Sequence, residues 1–593
     1  MMLSALAQTP DGAAIYKQSC AACHDSGTSR APSREALEQR SPESVLDALN
    51  NIMRIPGSRL NGAERRAVAE FATGKKLGGD VRGISTGRCP SQPAFREPQS
   101  GPSWNGWSPD VSNTAFQPAK AAGLTAADVP RLKLKWAFGF PDSNSAWGGL
   151  TVVSGRLFTG SQNGTVYSLD AKTGCVYWAF SAQSGVRTPI TIGPRGGGKF
   201  SAYFGDNSGI AYAVDAFTGE KLWSRKIEEH PVARITGQIS LYDNRLYVPM
   251  ASYEETMGSS TSYECCTFRG SITAVNPQNG AILWNTYTIP EEPKPRAKTR
   301  AGGRFWGPAG AAVWSAPTVD AKRGLIYVST GNCYSGPYQP TCDAVIAIDA
   351  RTGKIAWSSQ PLTDVKDVMI AGCSARGRGP SSFCPMDEDE DGPDYDFGNP
   401  PILTELANGK GLIVIGQKSG VGFALDPDKR GQVVWQYRAG EGSANGGMEW
   451  GSAVDSEHAY FPVADNMRPK PGGLHAVDLS TGQRVWFASP PQPKCGTGRG
   501  CNAAQAAAIA VIPGIVFSGS NDGAMRAFSA RDGSIVWEYD TNREFQTVNG
   551  IPGKGASIVG APPIVVGGML YFNSGYGTHG GRPGNVLLAF GVD

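Results

Sequence analysis

YSLDAKTGCVYW, residues 167–178, reads as an apolar strand, an Asp-x-x-Thr-Gly turn and a second strand that ends on tryptophan. Short alternating runs joined by such a turn signal a β-hairpin. The pattern returns as YAVDAFTGEKLW (212–223), TAVNPQNGAILW (273–284), IAIDARTGKIAW (346–357), FALDPDKRGQVVW (423–435), HAVDLSTGQRVW (475–486) and AFSARDGSIVW (527–537). Repeats of this length mark a propeller or a related array. Trp136, in LKLKWAF, supplies an eighth tryptophan strand with no hairpin before it, and the C-terminal NVLLAFGVD is a lone strand. Pairing these two chain ends completes one blade. The expectation is a mainly β chain: an eight-bladed β-propeller over residues 101–593, its tryptophans acting as pegs between blades.

Composition agrees with such a fold. Glycine, at 77 of 593 residues, runs at nearly twice the usual ~7% and favours turns over long helices. The 55 basic and 52 acidic residues nearly balance, with no long run of either sign, which argues against a nucleic-acid partner or a polybasic membrane surface. No apolar stretch is long enough to span a bilayer. MMLSALAQTP carries a cleavage-like Ala5-Leu6-Ala7 without a basic or full apolar region, and reads as the remnant of an export signal or as an artificial start, not as structure. Ten of the twelve cysteines suggest disulfides: Cys265 with Cys266, Cys333 with Cys342, Cys373 with Cys384, Cys495 with Cys501, and Cys89 with Cys175 at long range. Such pairing points to an oxidising compartment, periplasmic or secreted.

The other two cysteines lie in Cys20-Ala21-Ala22-Cys23-His24, the C-x-x-C-H pattern of covalent haem c attachment. Two thiols can add to the two vinyl groups of one porphyrin while His24 turns onto the iron. A zinc site would need a second ligand pair nearby, and a thioredoxin-like motif would need a βαβ setting; neither is present. Met53 is the methionine placed to be a sixth ligand. Asn61-Gly62-Ala63-Glu64 reads as a helix start with a capping glutamate, followed by Ala67, Val68 and Phe71 at helical spacing and a stop at Gly74. Residues 8–78 therefore resemble a small all-α class I cytochrome c domain, and residues 79–100, rich in Gly, Pro and Ser, read as a linker.

Spacing between the tryptophans lengthens from Trp223 to Trp435, and insertions in a propeller usually gather on its working face. WSAPTVDAKRGLIYVSTGN (314–332), LYVPMASYEE (246–255) and GPDYDFGNPP (392–401) fall there. With these motifs the propeller resembles the quinoprotein alcohol dehydrogenase family. The resemblance implies pyrroloquinoline quinone (PQQ) over Trp314, and a Ca2+ ion ligated by Asn332 and by a carboxylate, Glu254 with Glu255 as the near alternative. It implies an aspartate base, Asp396 in preference to Asp394, and cations Lys418 and Arg187 beside the quinone. Relatives that use larger trivalent ions carry an aspartate two positions beyond the base; Gly398 stands there, which favours calcium. A Cys265–Cys266 disulfide stacked on the quinone is also implied, although in better-known members the pair precedes the carboxylate and here it follows Glu254.

A cytochrome placed before the propeller, WNGWSPDVSNTAFQPAKAAGL (104–124) and FNSGYGTHGGRPGNVLLAF (572–590) resemble the polyvinyl alcohol dehydrogenases within that family. The implied reaction is oxidation of secondary alcohol groups, on a polymer, to ketones. Electrons would pass through the haem to an external acceptor such as a soluble cytochrome. The alternatives are another small alcohol or polyol as substrate, and a non-catalytic propeller scaffold fused to a cytochrome.

Overall fold

The tryptophan repeats form eight antiparallel sheets of four strands, one of them with an extra short strand. In chain order, blades 1 to 7 span residues 150–181, 191–226, 233–287, 318–359, 402–438, 453–488 and 510–540. Blade 8 joins residues 564–591 to the strand Lys133–Gly139, with Lys133 opposite Gly591 and Phe138 opposite Leu587. The chain ends thus close the ring, as the lone strands at Trp136 and NVLLAF require. In this computed structural model, residues 10–26, 31–50, 53, 59–95, 101–258, 263–298, 303–370, 392–466, 468–498 and 500–593 are described.

The repeat motif explains how neighbouring blades lock. Each turn glycine adopts a positive φ, for example +73° at Gly174 and +72° at Gly533, and lies on the tryptophan of the preceding blade. A Cβ on Gly174 would come within 2.7 Å of Trp136, and one on Gly533 within 2.6 Å of Trp486. Glycine is required here twice over, by backbone conformation and by ring contact. The indole N–H completes the peg: Trp136, Trp178, Trp435 and Trp486 donate to the main-chain carbonyls of Ala171, Ala216, Leu479 and Ala530 of the next blade.

Among the described residues the N-terminal segment holds the helices α1 Gly12–Ser19, α2 Ala21–His24, α3 Arg34–Glu38, α4 Pro42–Asn50 and α5 Gly62–Thr73. α5 opens on the capping box of Asn61 and Glu64 and stops at Gly74 in the left-handed region, the bounds its sequence requires. Leu46, Leu49, Val68, Ala69 and Ala72 form a small core with Tyr16 and Cys20. These helices dock on the propeller. Asn50 Nδ2 donates to the Asp142 carbonyl at 2.9 Å, Arg66 pairs with the Asp142 carboxylate at 2.6 Å, and the buried Arg65 guanidinium donates to the Gln162 carbonyl.

The connection that follows is held down over its described length. Cys89 is bonded to Cys175, and Phe95 packs against Phe158 and Phe200. Disulfides Cys333–Cys342 and Cys495–Cys501 also form, while Cys373 and Cys384 lie outside the described residues. Among the described residues no helix is long and apolar enough to cross a membrane.

Candidate functional site

One end of the propeller holds a cavity of about 310 Å3 in which residues from blades far apart in sequence converge. At its centre is Lys418, in the turn after the blade 5 strand Gly411–Gly416. Its Nζ donates to Asp394 Oδ1 at 3.0 Å and to Asp396 Oδ2 at 2.8 Å, all three side chains being buried. The two aspartates stand two residues apart, Asp394 in the left-handed region at φ +62°, and the chain brings both carboxylates onto the one ammonium. Asp396 Oδ1 accepts the Asn332 amide at 2.6 Å. Asn332 spends its own amide hydrogens on the carbonyls of Met369 and Cys333, which turns its oxygen away from these bonds as a free acceptor. Burial would lower the Lys418 pKa, but Asp394 and Asp396 outweigh it and hold the ammonium protonated.

Further carboxylates face the same space. Burial and the charge of Asp396 push Glu255 up to about 7; burial pushes Glu449 up to about 7 against the pull of Lys418 and Arg187. Burial raises Asp394 well above the ordinary carboxylate range even with Lys418 beside it. Glu255, Asp396 and Asn332 all line this cavity, and their side-chain oxygens are of the hard type that divalent cations such as Ca2+ take.

The aromatic wall is Trp314, met edge-on by Trp450 at 5.6 Å between centroids, with Lys418 Nζ 5.5 Å from its ring centre. Gly398 lies against this ring: a Cβ there would come within 2.1 Å of Trp314 and 2.2 Å of the Glu449 carbonyl, so an aspartate cannot be accommodated without moving the indole. Arg187 lies over Trp450 at 4.3 Å. Buried donors on the wall lack protein partners: Arg187 Nη2, Arg234 Nε, Trp147 Nε1 and Trp450 Nε1. Buried donors are normally satisfied. An orphaned set beside a flat indole suits a planar ligand rich in carboxylate and carbonyl oxygens, which is the chemistry of PQQ.

Around this cavity the structure departs from the sequence expectation at Glu254 and at the Cys265–Cys266 pair. Glu254 does not face the cavity. The chain enters a single helical turn, Glu254–Met257, after the strand Arg245–Ser252, and successive helical residues diverge by about 100°. Glu254 turns away to accept the amides of Thr267 and Phe268 at 2.8 and 2.7 Å and the Tyr263 hydroxyl at 3.0 Å, and Glu255 takes the cavity. Cys265 and Cys266 are bonded to each other but are absent from the described cavity wall. They pack in the blade 3 core with Ala251, Phe268, Phe305 and Ile370, a cluster that touches Trp314.

A second cavity, about 880 Å3, opens among the N-terminal helices between α1, α2 and α5, lined by Tyr16, His24, Arg34 and Phe71. His24 is buried and its Nδ1 is 2.7 Å from the Pro32 carbonyl. That bond leaves Nε2 free as a ligand and fixes the ring, as metal-bound histidines require. Cys20 and Cys23 form no disulfide; neither is among the residues lining this cavity, and it is the donor set of two thiols and an adjacent imidazole that suits a covalently attached porphyrin. Met53 packs on the helical core and does not line this cavity. The two cavities share α5: Arg65 borders the propeller cavity and Phe71 the helical one, six residues or about 9 Å along the axis. Leu49 and Asn50 of α4 also border the propeller cavity, so the helical domain roofs it.

Sequence reading missed Arg234, Glu449, Trp450, Trp147 and the α4–α5 roof. The run GGMEWG (446–451), an acid beside an indole between two glycine turns, was the one local signal available.

Comparison with known proteins adds independent findings. A polyvinyl alcohol dehydrogenase of Pseudomonas sp. is 39% identical over 98% of this chain and 94% of its own length. Another, from Sphingopyxis sp. (strain 113P3), is 40% identical over 98% and 93%. The family model described as outer membrane protein assembly factor BamB matches residues 123–302 and 470–589. That of the glucose/ethanol/alcohol dehydrogenase β-propeller domain matches 255–368. The crystal structure of quinohemoprotein alcohol dehydrogenase from Comamonas testosteroni superimposes with a TM-score of 0.58 at 19% identity, covering 83% of this chain and 80% of that one.

Proposed function

Because the chain belongs to the PQQ-dependent alcohol dehydrogenases, among their polyvinyl alcohol dehydrogenase members, we propose that it oxidises secondary alcohol groups of polyvinyl alcohol to ketones and delivers the electrons through an N-terminal haem c to an external acceptor. The carrying observation is the pairing of buried Asp394 and Asp396 with Lys418 against an indole wall of orphaned donors.

In this reading Trp314 forms the flat floor for the quinone, and Arg187 and Arg234 meet its acidic groups. Glu255, Asn332 and Asp396 hold the calcium ion. Bound PQQ with calcium supplies a two-electron acceptor for the hydride of the alcohol, and haem c a one-electron outlet. Asp396 receives the hydroxyl proton at its carboxylate. Lys418 orients that carboxylate through its 2.8 Å contact, and the roof of Leu49, Asn50 and Arg65 keeps water from the reacting centre. His24 would hold the haem iron and Cys20 and Cys23 would carry the thioether bonds, while Met53, packed on the helical core, offers no ligand from its place in this structure. The short span along α5 suits electron passage between the two sites. The disulfides favour a periplasmic or secreted location, with a soluble cytochrome as acceptor. A scaffold gives no reason to gather three buried carboxylates, Asp394, Asp396 and Glu449, and the half-buried Glu255 around one ammonium, since burying such groups is costly.

The test is reconstitution of the full chain with PQQ and Ca2+, followed by polyvinyl alcohol or a small secondary alcohol, reading haem reduction. Reduction by the polymer that is lost in Asp396→Asn is expected. No reduction by any alcohol in the wild type would refute the proposal, and a rate confined to small alcohols would refute the polymer assignment.

A further inference from the structure

A carboxylate that the quinone site does not use lies deeper in blade 4. Asp343 follows the Cys333–Cys342 disulfide in a left-handed conformation, φ +47°, its amide donating to the Gly331 carbonyl at 3.0 Å. It is 7% exposed, and neither carboxylate oxygen has a hydrogen-bond partner. The Thr341 hydroxyl, two residues earlier, is likewise buried and unpartnered. Such groups call for an occupant, because a buried carboxylate without donors is strongly disfavoured.

The neighbouring charges are of the wrong sign to satisfy it. Asp367 is foremost, with Asp396 and Asp394 behind, and Lys418 is the opposing cation, already engaged by two carboxylates. Asp367 belongs to the blade 4 insertion that crosses the loop carrying Asn332, its carbonyl accepting the Cys333 amide at 3.0 Å. Its carboxylate accepts the amides of Asp394, at 3.0 Å, and Tyr395, and so supports the segment that carries Asp396.

We propose that Asp343 and Asp367 hold a second divalent cation, of the calcium class, separate from the quinone's ion. Hard oxygen donors and a flexible coordination number suit Ca2+, with main-chain carbonyls and water completing the shell. The cation pins the insertion to blade 4 and thereby positions Asp396; Asp343 is a positioning residue.

The experiment is elemental analysis of the purified full-length protein, with PQQ content measured on the same samples. The expected result is two Ca2+ per chain in the PQQ-loaded wild type and one in Asp343→Asn, whose PQQ content is unchanged. Equal cation counts in wild type and a folded Asp343→Asn would overturn the proposal. Glu255→Gln covers the case in which the Asp343 variant does not fold: it is expected to lose the quinone's ion yet retain one Ca2+, and retention of none would overturn the second site. Failure of the quinone reading registers separately, as a wild type that takes up no PQQ.

Discussion

Replacing Lys418 by methionine removes the one cation between two buried carboxylates while keeping the volume of the side chain. Two charge-assisted hydrogen bonds are lost, at 2.8 and 3.0 Å. At about 1.5–3 kcal/mol each the sum brackets the about 3–5 kcal/mol typical of breaking a buried pair by removing one partner. Solvent screening offers little relief, since the three side chains are only 7–9% exposed. The loss should depend on pH. Without the ammonium, Asp394, which burial already raises against the pull of Lys418, lies further above the unfolded ~3.9. Groups raised in this way destabilise the fold above their folded pKa, and the penalty fades as pH falls. One additional proton held by the folded variant, relative to the wild type, recovers about 1.4 kcal/mol per pH unit, or about 2.7 kcal/mol between pH 7 and pH 5. Urea unfolding of both proteins at the two pH values, followed by circular dichroism, measures this directly. A deficit under about 1 kcal/mol at pH 7, or an equal deficit at pH 5, would refute the reasoning.

Glu255→Gln is expected to weaken calcium binding by at least about tenfold. Glu254→Gln should leave it intact and cost about 1–3 kcal/mol, because the Thr267 and Phe268 amides lose a charged acceptor; calorimetric titration and urea unfolding separate the two. Gly533→Ala, whose Cβ would sit 2.6 Å from Trp486 at a φ of +72°, should destabilise the chain by about 1–3 kcal/mol, seen as a lower Tm. Arg65→Ala removes donors to the Gln162 carbonyl and to Asn50 and should slow alcohol-driven haem reduction several-fold in stopped flow, while total PQQ bound stays constant.

Blade number and closure were legible because the propeller is built from local units. A tryptophan, a turn glycine and an Asp/Thr pair recur within twelve or so residues, and the same glycine that forms the turn receives the indole. The capping box at Asn61 was legible for the same reason, as were disulfides between near neighbours. Asp396, Asn332, Trp314 and Lys418 were found by motif, and the structure brings them to one cavity. Glu254 and Glu255 could not be told apart in sequence, since a single helical turn after a strand decides which one faces inward. Arg234, Glu449 and Trp450 stand on separate loops with no shared spacing, so only closure of the ring shows them as neighbours. Docking of α4 and α5 over the cavity depends on contacts such as Arg65 to Gln162, 97 residues apart, which no local pattern records.

Equilibrium titration of the quinone-free chain with PQQ, with and without Ca2+ and read by quenching of tryptophan emission, bears most directly on what the propeller cavity holds. One PQQ per chain is predicted, dependent on Ca2+ and weakened at least about tenfold by Arg187→Ala, Arg234→Ala or Trp314→Ala. Absence of saturable binding, or binding indifferent to all three substitutions, would contradict the account.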